Sequence, residues 1–237
     1  MDSFLKLLIH GASGRMGKAL LRLASEDPTL QVTGAVVKHP LDHQAIDGVP
    51  FFAASELTTV PAFDVAIDFS LPQGFSPLLA LCVQRATPLV SGTTGLDLEQ
   101  HESLVMASAQ IPLVWGANFS LGMAVLINLV ERAGDALLGW DCDIVESHHV
   151  HKQDAPSGSA LTLGEAVARN GALPRYTSLR AGDIVGEHLV QFTGLGERIE
   201  LVHRATNRDV FARGALYAAR RLVGRLPGCY RVRDLIV

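Results

Sequence analysis

The feature that most constrains the fold is a repeated alternation of short apolar runs and helical periodicity over residues 5–115. The first apolar run, residues 5–9, ends in a glycine turn, and Met16, Leu20 and Leu23 follow at helical spacing. An almost continuously apolar run followed by a tight turn and a helix is typical of a buried parallel strand and its crossover connection. The sequence therefore predicts right-handed βαβ units and a parallel sheet covered by helices on both faces.

The remaining periodicity divides the chain into two predicted domains. In the first we predict further strands at residues 31–37, 64–69, 88–91 and 111–115, with helices at 72–85 and 97–108. In the second we predict a helix at 121–138, a strand at 141–149, a helix at 161–169 stopped by Gly171, and a hairpin of strands 184–192 and 198–204 around the turn at 194–196. A final helix at 210–222 is assigned to the first domain by fold analogy. The expected organisation is an α/β, Rossmann-type dinucleotide-binding domain of residues 1–119 plus 210–237, and an α+β substrate-binding and oligomerisation domain of residues 120–209.

Composition and charge exclude several classes of protein. The 237 residues are 48% hydrophobic and 19% charged, which is too apolar for a disordered chain. The formal net charge of −4 argues against a general nucleic-acid binder, which needs a basic excess. No apolar run approaches the roughly 18 residues of a membrane helix, and three widely spaced cysteines favour a reducing, cytoplasmic setting.

The turn after the first strand has the spacing of a dinucleotide-binding loop. It reads GASGRMG, with glycines at 11, 14 and 17. Between a strand and a helix, such a loop lets the N–H groups of the helix N-terminus bind a pyrophosphate. A plain βα turn also favours glycine, so that alternative stays open. Arg15 strengthens the cofactor interpretation, because a guanidinium pairs with phosphate or stacks on a purine.

The end of the second predicted strand bears on the choice of cofactor. The strand runs into Lys38 and His39, and the nearest acidic residue, Asp42, lies beyond Pro40. An acidic side chain here bonds the ribose 2′-hydroxyl of NAD, whereas a cation accommodates the 2′-phosphate of NADP. We therefore expect a preference for NADPH, or use of both cofactors leaning that way. The alternative is that Lys38 is an ordinary solvated lysine.

A second group of chemistry-bearing residues follows the strand predicted at 141–149. His148, His149, His151 and Lys152 fall within five positions. On one strand or on one helix, His148 and Lys152 would share a face. An imidazole suited to proton transfer and an ammonium suited to carboxylate binding or proton donation would then converge on one substrate.

The next helix is predicted to begin in the Pro-Ser-Gly-Ser stretch at 156–159. Ser157 or Ser159 is a natural N-cap, and Gly158 lets an anion approach the backbone closely. A substrate carboxylate fits this position.

Two other interpretations of the histidine segment are weighed. Glu146, His148, His149 and His151 are possible zinc ligands, but the segment has no HExxH spacing and no nearby cysteine, so no metal is predicted. The histidines are alternatively exposed residues of a polar loop.

Seven segments together resemble the dihydrodipicolinate reductase family, also called 4-hydroxy-tetrahydrodipicolinate reductase. They occur in order over nearly the whole chain, and the HHxxKxDAPSG core is highly specific. The segments are GASGRMG at 11–17, DFS at 68–70, GTTG at 92–95, GANFSLG at 116–122, ESHHVHKQDAPSGSA at 146–160, AGDIVGEH at 181–188, and residues 196–204. The resemblance implies NAD(P)H-dependent reduction of 4-hydroxy-tetrahydrodipicolinate to tetrahydrodipicolinate, with loss of water, in the diaminopimelate route to lysine. It also implies a cytoplasmic homotetramer.

Carried over by position, the resemblance implies roles for residues of both predicted domains. His148 would be the acid/base residue and Lys152 the proton donor. The residues implied to bind substrate are His149, Gly158, Ser159 and Thr94. The residues implied to bind the cofactor are Gly11, Ala12, Ser13, Gly14, Arg15 and Met16 at the pyrophosphate, Lys38 and His39 at the adenosine ribose, and Gly92, Thr93, Thr94, Gly116, Ala117, Asn118 and Phe119 on the nicotinamide side.

The sequence departs from the family pattern at three places. Family members often carry Glu where Lys38 stands, and Ser159 replaces a more usual Thr. The loop after the second strand and the segment between Gly171 and Arg180 are short. Two rival functions are another two-domain dehydrogenase, acting on aspartate or homoserine, and a non-catalytic NADPH-sensing regulator. The DAPSG segment disfavours the first, and retention of a proton donor at Lys152 disfavours the second.

Overall fold

The computed structural model describes residues 4–39, 45–46, 48–168, 171 and 173–236, so Pro40 and Asp42 lie outside the described residues. Contacts between Cα atoms divide the chain into two compact units, one of Met1–Phe119 with Phe211–Val237 and one of Ser120–Val210. No helix in the described part of the chain has both the length and the apolar character needed to cross a bilayer.

The secondary structure follows the predicted alternation. The strands are β1 (Leu5–His10), β2 (Leu30–Val37), β3 (Ala45–Ile46), β4 (Val49–Ala53), β5 (Val65–Asp68), β6 (Leu89–Ser91), β7 (Pro112–Trp115), β8 (Asp141–His148), β9 (Arg175–Arg180), β10 (Gly186–Gly194), β11 (Glu197–Ala205) and β12 (Gly228–Tyr230). The helices are α1 (Arg15–Ser25), α2 (Pro72–Gln84), α3 (Leu98–Ser108), α4 (Leu121–Ala136), α5 (Gly158–Ala168) and α6 (Asp209–Leu222). Two short 3₁₀ segments are Ala54–Thr59 and Val232–Leu235.

The first unit is built on a sheet with the strand order β12-β7-β6-β5-β1-β2-β4-β3. Every neighbouring pair is parallel except β3 with β4. Leu7, Leu8 and Ile9 of β1 are fully buried, which is why this strand reads as a continuous apolar run rather than an alternating one. The α/β fold class predicted from the sequence is confirmed.

The second unit contains a four-stranded sheet in the order β11-β10-β8-β9. β8 pairs antiparallel with β10 and parallel with β9, and β10 forms the predicted hairpin with β11. The even-numbered side chains of β8 are buried, and Cys142 and Ile144 join a core with residues of α4 and α5. Glu146 and His148 are the next two members of this row, so a polar pair continues the apolar core.

Several element boundaries differ from the sequence predictions. The strand predicted at 141–149 ends at His148, and the helix predicted at 161–169 begins at Gly158. This helix starts early because the Ser157 hydroxyl accepts the Ala160 N–H at 3.3 Å, as an N-cap does. The sequence does not predict β3, β4, β9 or β12. For β9 and β12 the reason is the lack of an apolar pattern, because β9 exposes most of its side chains and β12 has only three residues.

Candidate active site

His148 and Glu146 form a buried hydrogen-bonded pair at the end of β8. Only 8% of His148 and 1% of Glu146 are exposed. Nδ1 of His148 lies 2.5 Å from Oε2 of Glu146. The two residues are side by side because positions i and i+2 of a strand share one face.

Arg180 binds the same carboxylate from the neighbouring strand β9. Its two terminal nitrogens lie 2.9 and 2.8 Å from the two carboxylate oxygens of Glu146, which is a bidentate pair. Burial raises the pKa of Glu146, but hydrogen bonds from Arg180, Ser178 and His148 outweigh burial and lower the pKa to about 2. Glu146 is therefore a carboxylate near neutral pH and a fixed hydrogen-bond acceptor.

Opposing influences act on the protonation of His148. Burial lowers the pKa of the imidazole, the Glu146 carboxylate raises it, and the charges of Lys152 and Arg180 lower it again. The net direction is below the ordinary histidine value of 6.5. At neutral pH the ring is mostly neutral, so it accepts a proton more readily than it donates one.

His188 of β10 lies directly opposite Glu146 in the sheet, and 3% of it is exposed. Its Nε2 lies 3.1 Å from the Ser157 hydroxyl. The rings of His188 and His148 meet edge to face, with centroids 5.2 Å apart. Burial lowers the pKa of His188 to about 4, so this residue is a neutral neighbour of the pair at physiological pH.

Lys152 lies on a turn, which corrects the geometry expected from its spacing. The interpretation that His148 and Lys152 share one strand or one helix is wrong, because β8 ends at His148 and the Lys152 N–H donates to the carbonyl of the partly buried His149 at 3.1 Å. Lys152 Nζ lies 2.8 Å from Oδ1 of Asp154. Arg180 Nε donates to the Lys152 carbonyl at 3.3 Å, so the guanidinium also holds this turn.

The N-terminus of α5 is open where a carboxylate is expected. Gly158 and Ser159 are the first two helical residues. Apart from its chain neighbours and the backbone of its own helix, no described atom lies within 4 Å of a β-carbon built on Gly158. The first turn, all of it among the described residues, contains no acidic residue. Backbone N–H groups and the helix dipole at such an end favour an anion.

The glycine loop of the first unit brings backbone segments very close together. Gly11 has a φ of +79°, and a β-carbon there would lie 2.5 Å from the Phe69 carbonyl oxygen. A β-carbon on Gly17 would lie 2.3 Å from the Gly11 carbonyl oxygen. α1 then begins at Arg15, after an extended Gly14 that makes no side-chain cap, and its fully described first turn contains no acidic residue. This compact loop and uncapped helix end fit the pyrophosphate of a dinucleotide.

The loop lies where the strand order reverses. β1 has β2 on one side and β5 on the other, and open α/β sheets bind ligands beside the carboxyl ends of such strands. Ala12 is buried, Ser13 is exposed and Met16 is partly buried. Lys38 and His39 follow β2, and both are exposed. The residues predicted at the pyrophosphate and the ribose therefore follow two adjacent strands.

The residues predicted on the nicotinamide side follow β6 and β7. Thr94 and Ala117 are exposed, whereas Thr93 and Phe119 are buried. The Thr93 carbonyl accepts the indole N–H of Trp115 at 2.9 Å, so part of this set holds the loops in place. The partly buried members are Gly92, Gly116 and Asn118.

A buried carboxylate network connects these loops, and sequence reasoning assigned it no role. Asp68 is fully buried and accepts hydrogen bonds from the Ser91 and Thr93 hydroxyls, both at 2.8 Å, and from the Ser70 N–H at 3.1 Å. Nδ1 of His10 lies 2.9 Å from Oδ1 of Asp68. Burial raises the pKa of Asp68, but the hydrogen bonds of its neighbours hold the pKa below its usual value. A lone carboxylate ending an apolar strand is the signal that predicts such a network.

Sequence reasoning also missed the partners of His148. It treated Glu146 only as a possible metal ligand, yet in the described part of the chain no three His, Cys, Asp or Glu side chains are placed to hold a metal ion. The alternation along β8 would have revealed that Glu146 shares a face with His148. Arg180 and His188 depend on strand pairing, which no local pattern supplies.

Two family models match the chain and together span most of it. "Dihydrodipicolinate reductase, N-terminus" matches residues 5–119, and "Dihydrodipicolinate reductase, C-terminus" matches residues 122–236. The 4-hydroxy-tetrahydrodipicolinate reductase of Xylella fastidiosa (strain 9a5c) is 84% identical over 237 residues, which is 100% of both chains. That of Xanthomonas axonopodis pv. citri (strain 306) is 74% identical over 235 residues, which is 99% of both chains. These relatives therefore share the short length of this chain.

Solved structures show the same fold. The dipicolinate-bound dihydrodipicolinate reductase from Paenisporosarcina sp. TG-14 has a TM-score of 0.83 at 20% identity and covers 98% of this chain and 100% of its own. An aspartate dehydrogenase from Thermotoga maritima has a TM-score of 0.56 at 12% identity and covers 94% of this chain and 98% of its own. Because a rival dehydrogenase shares the architecture, the fold alone does not select the reaction.

Proposed function

This chain belongs to the dihydrodipicolinate reductase family, and we propose that it reduces 4-hydroxy-tetrahydrodipicolinate to tetrahydrodipicolinate with loss of water, in the diaminopimelate route to lysine. Membership of this family implies a nicotinamide cofactor. The observation that carries the proposal is the short segment 148–159, which holds an imidazole, an ammonium group and an open helix N-terminus. An acid/base pair beside an anion site suits the reduction of a cyclic imine dicarboxylate.

The proposed reaction requires one hydride, one proton and the loss of one water. The ring hydroxyl of the substrate leaves as water, which gives a conjugated imine. When bound, the reduced nicotinamide supplies a hydride to the ring. Lys152 then donates the proton that completes the product, and His148 is the acid/base residue beside it. Both side chains belong to the second unit, to which we assign substrate binding.

The two substrate carboxylates need fixed donors. We assign one of them to the backbone N–H groups of Gly158 and Ser159 at the start of α5, where the helix dipole also favours an anion. His149 is assigned to substrate binding because the family resemblance implies it. Thr94 is a candidate contact on the family resemblance alone.

The cofactor is assigned to the first unit. The loop from Gly11 to Met16 binds the pyrophosphate, and the loops after β6 and β7 bind the nicotinamide side. Lys38 lies exposed at the end of β2, where a cation accommodates a 2′-phosphate. We therefore propose that NADPH is preferred over NADH.

We also propose a cytoplasmic homotetramer. All three cysteines, each among the described residues, are free thiols, as is usual in a reducing compartment. The sheet of the second unit carries exposed apolar residues on one face, including Leu179 and Val202, with exposed fractions of 51% and 42%. Light scattering on the purified chain tests the assembly, and a mass of one 25.4 kDa chain would contradict it.

The deciding experiment follows the loss of nicotinamide absorbance with freshly made 4-hydroxy-tetrahydrodipicolinate, using NADPH and NADH in parallel. We expect turnover with both and a lower KM for NADPH. Turnover with aspartate semialdehyde or with oxaloacetate and ammonia, but not with this substrate, would support another dehydrogenase instead. NADPH binding without turnover of any of them would support a sensor.

A further inference from the structure

The carboxylate of Glu146 fixes which nitrogen of His148 is available for chemistry. We propose that Glu146 is a positioning residue of this reaction: it accepts the hydrogen bond of His148 Nδ1, leaves Nε2 to exchange protons with the substrate, and is itself held by Arg180. This inference rests on the proposed function, because it concerns the proton transfer assigned to His148.

The hydrogen-bonding chemistry of Glu146, Arg180 and His148 allows one arrangement of their protons. An ionised carboxylate only accepts hydrogen bonds, and a guanidinium only donates them. With its oxygens bound by Arg180 at 2.8 and 2.9 Å, Glu146 accepts at Oε2 from His148 Nδ1 at 2.5 Å. Nδ1 therefore carries the proton in the neutral ring, and Nε2 holds the free lone pair. Buried carboxylates have this same effect on the histidine of hydrolase triads.

The surroundings keep Glu146 charged and in place. It is 1% exposed, and the Ser157 N–H also lies within hydrogen-bond distance of Oε1, at 3.3 Å. Arg180 is anchored in turn by the carbonyls of Lys152 and Leu179, at 3.3 and 2.7 Å. A carboxylate with this many donors does not rotate freely, so the His148 ring is held at one orientation.

Space beside Nε2 is provided by the neighbouring strand. A β-carbon on Gly186 of β10 would lie 3.1 Å from His148 Nε2, so any larger residue there would crowd the reactive atom. The charged and titratable groups around the ring are Glu146 on its own strand, Arg180 on β9, Lys152 on the following turn and His188 on β10. Of these, Glu146 alone favours the protonated imidazole.

The test is the Glu146→Gln variant, which keeps the shape of the side chain and removes its charge. The Oε1 position faces two groups that only donate, the Arg180 guanidinium and the Ser157 N–H, so the new amide oxygen takes that position and the amide NH₂ faces Nδ1. Nδ1 must then accept, and the proton moves to Nε2. We expect kcat to fall about 100-fold with little change in the KM for the dicarboxylate. We also expect the ionisation assigned to His148 to move to lower pH by about one unit.

The matched control is Asp143→Asn. Asp143 lies on the same strand and pairs bidentately with Arg175 of the same neighbouring strand, at 2.7 and 2.9 Å, but on the opposite face of the sheet. It should keep the wild-type pH profile. Glu146→Asp keeps the charge on a shorter side chain, so it should restore the position of the ionisation while kcat stays low.

A spectroscopic measurement depends neither on activity nor on the folding of the Glu146→Gln variant. Two-bond ¹H–¹⁵N spectra of the wild-type chain at neutral pH report the tautomer of each imidazole, and the His148→Asn spectrum identifies the signal of His148. We expect the Nδ1–H form. An Nε2–H form in the wild-type chain would overturn the role of Glu146 but not the proposed function. The same conclusion would follow if the wild-type chain is active and its Glu146→Gln and Asp143→Asn variants share one pH profile. A wild-type chain without reductase activity overturns the proposed function and, with it, the role given to Glu146.

Discussion

Nδ1 of His10 lies 2.9 Å from Oδ1 of Asp68 in the interior of the first unit. His10 ends β1 and Asp68 ends β5, and Asp68 also accepts from the hydroxyls of Ser91, which ends β6, and of Thr93, just after that strand. One buried carboxylate therefore connects the strand ends that lead into two of the loops assigned to the cofactor, the loop after β1 and the loop after β6. Removing its charge leaves the buried donors imperfectly paired, which is costly in a low-dielectric interior.

We expect Asp68→Asn to lower the free energy of unfolding by about 3 kcal/mol and Tm by about 10 °C. The KM for the cofactor should rise because the loop ends lose their shared acceptor. Thermal melts and initial rates at varied NADPH measure both effects. Asp64→Asn is the control, since Asp64 is an exposed carboxylate that accepts only the Lys6 N–H among the hydrogen bonds resolved for it. Equal melting of the two variants would show that the Asp68 network does not stabilise the unit.

The roles proposed for His148 and Lys152 predict large losses of turnover without loss of fold. In His148→Ala, Glu146 keeps its bidentate pair with Arg180, so no buried carboxylate is left unpaired. In Lys152→Ala, the lost ion pair is with an Asp154 side chain that is 58% exposed. Each variant should lose about 10²- to 10⁴-fold in kcat with little change in Tm. The exposed His151 belongs to the same segment, and His151→Ala should retain wild-type kcat. Near-normal turnover in both site variants would refute the assignment.

Cofactor preference should change with one exposed charge. Lys38 is proposed to attract the 2′-phosphate of NADPH, and family members often carry Glu at this position. Lys38→Glu should raise the KM ratio of NADPH to NADH by about tenfold, equivalent to about 1.4 kcal/mol. Lys6→Glu makes the same change of charge at the opposite end of the sheet, where Lys6 is near the start of β1, and should leave the ratio unaltered. An unchanged ratio in Lys38→Glu would identify Lys38 as a solvated surface lysine.

Local sequence patterns predict the fold better than they predict the site. The apolar run before Gly11 and its glycine turn contain all the information needed for a buried parallel strand and crossover helix, because both are local features. The family resemblance is confirmed for the same reason, since its motifs are short and ordered along the chain. The strands β9 and β12 escape prediction because they are stabilised by their partners rather than by an apolar pattern of their own.

Predicting the site requires knowledge of the strand register in the sheet of the second unit. Spacing alone placed His148 and Lys152 on one element, but the chain turns after His148. Arg180 of another strand instead connects the Lys152 carbonyl to Glu146, the partner of His148. Arg180 lies opposite His148 only because β8 and β9 pair in parallel at one register. A shift of one residue would move Arg180 to the other face of the sheet, and nothing in either strand sequence fixes that register by itself.

Protonation of His188 should govern part of the acid stability of the protein. Burial lowers its pKa from 6.5 to about 4, so the unfolded chain binds a proton there more readily than the folded chain. The stability contributed by the neutral ring is then complete above pH 6.5 and is lost as the pH falls toward 4, with a total of about 3 kcal/mol. Chemical denaturation at several pH values across this window measures the slope.

The His188→Gln variant removes this titration while keeping a polar group near the Ser157 hydroxyl. Its free energy of unfolding should fall less steeply between pH 6.5 and 4 than that of the wild-type chain, whatever its stability at neutral pH. Some slope should persist, because burial also lowers the pKa values of His148 and His203. His151→Gln, at an exposed position, should keep the wild-type slope. If His188→Gln and His151→Gln show the same pH dependence, His188 does not titrate as its burial requires.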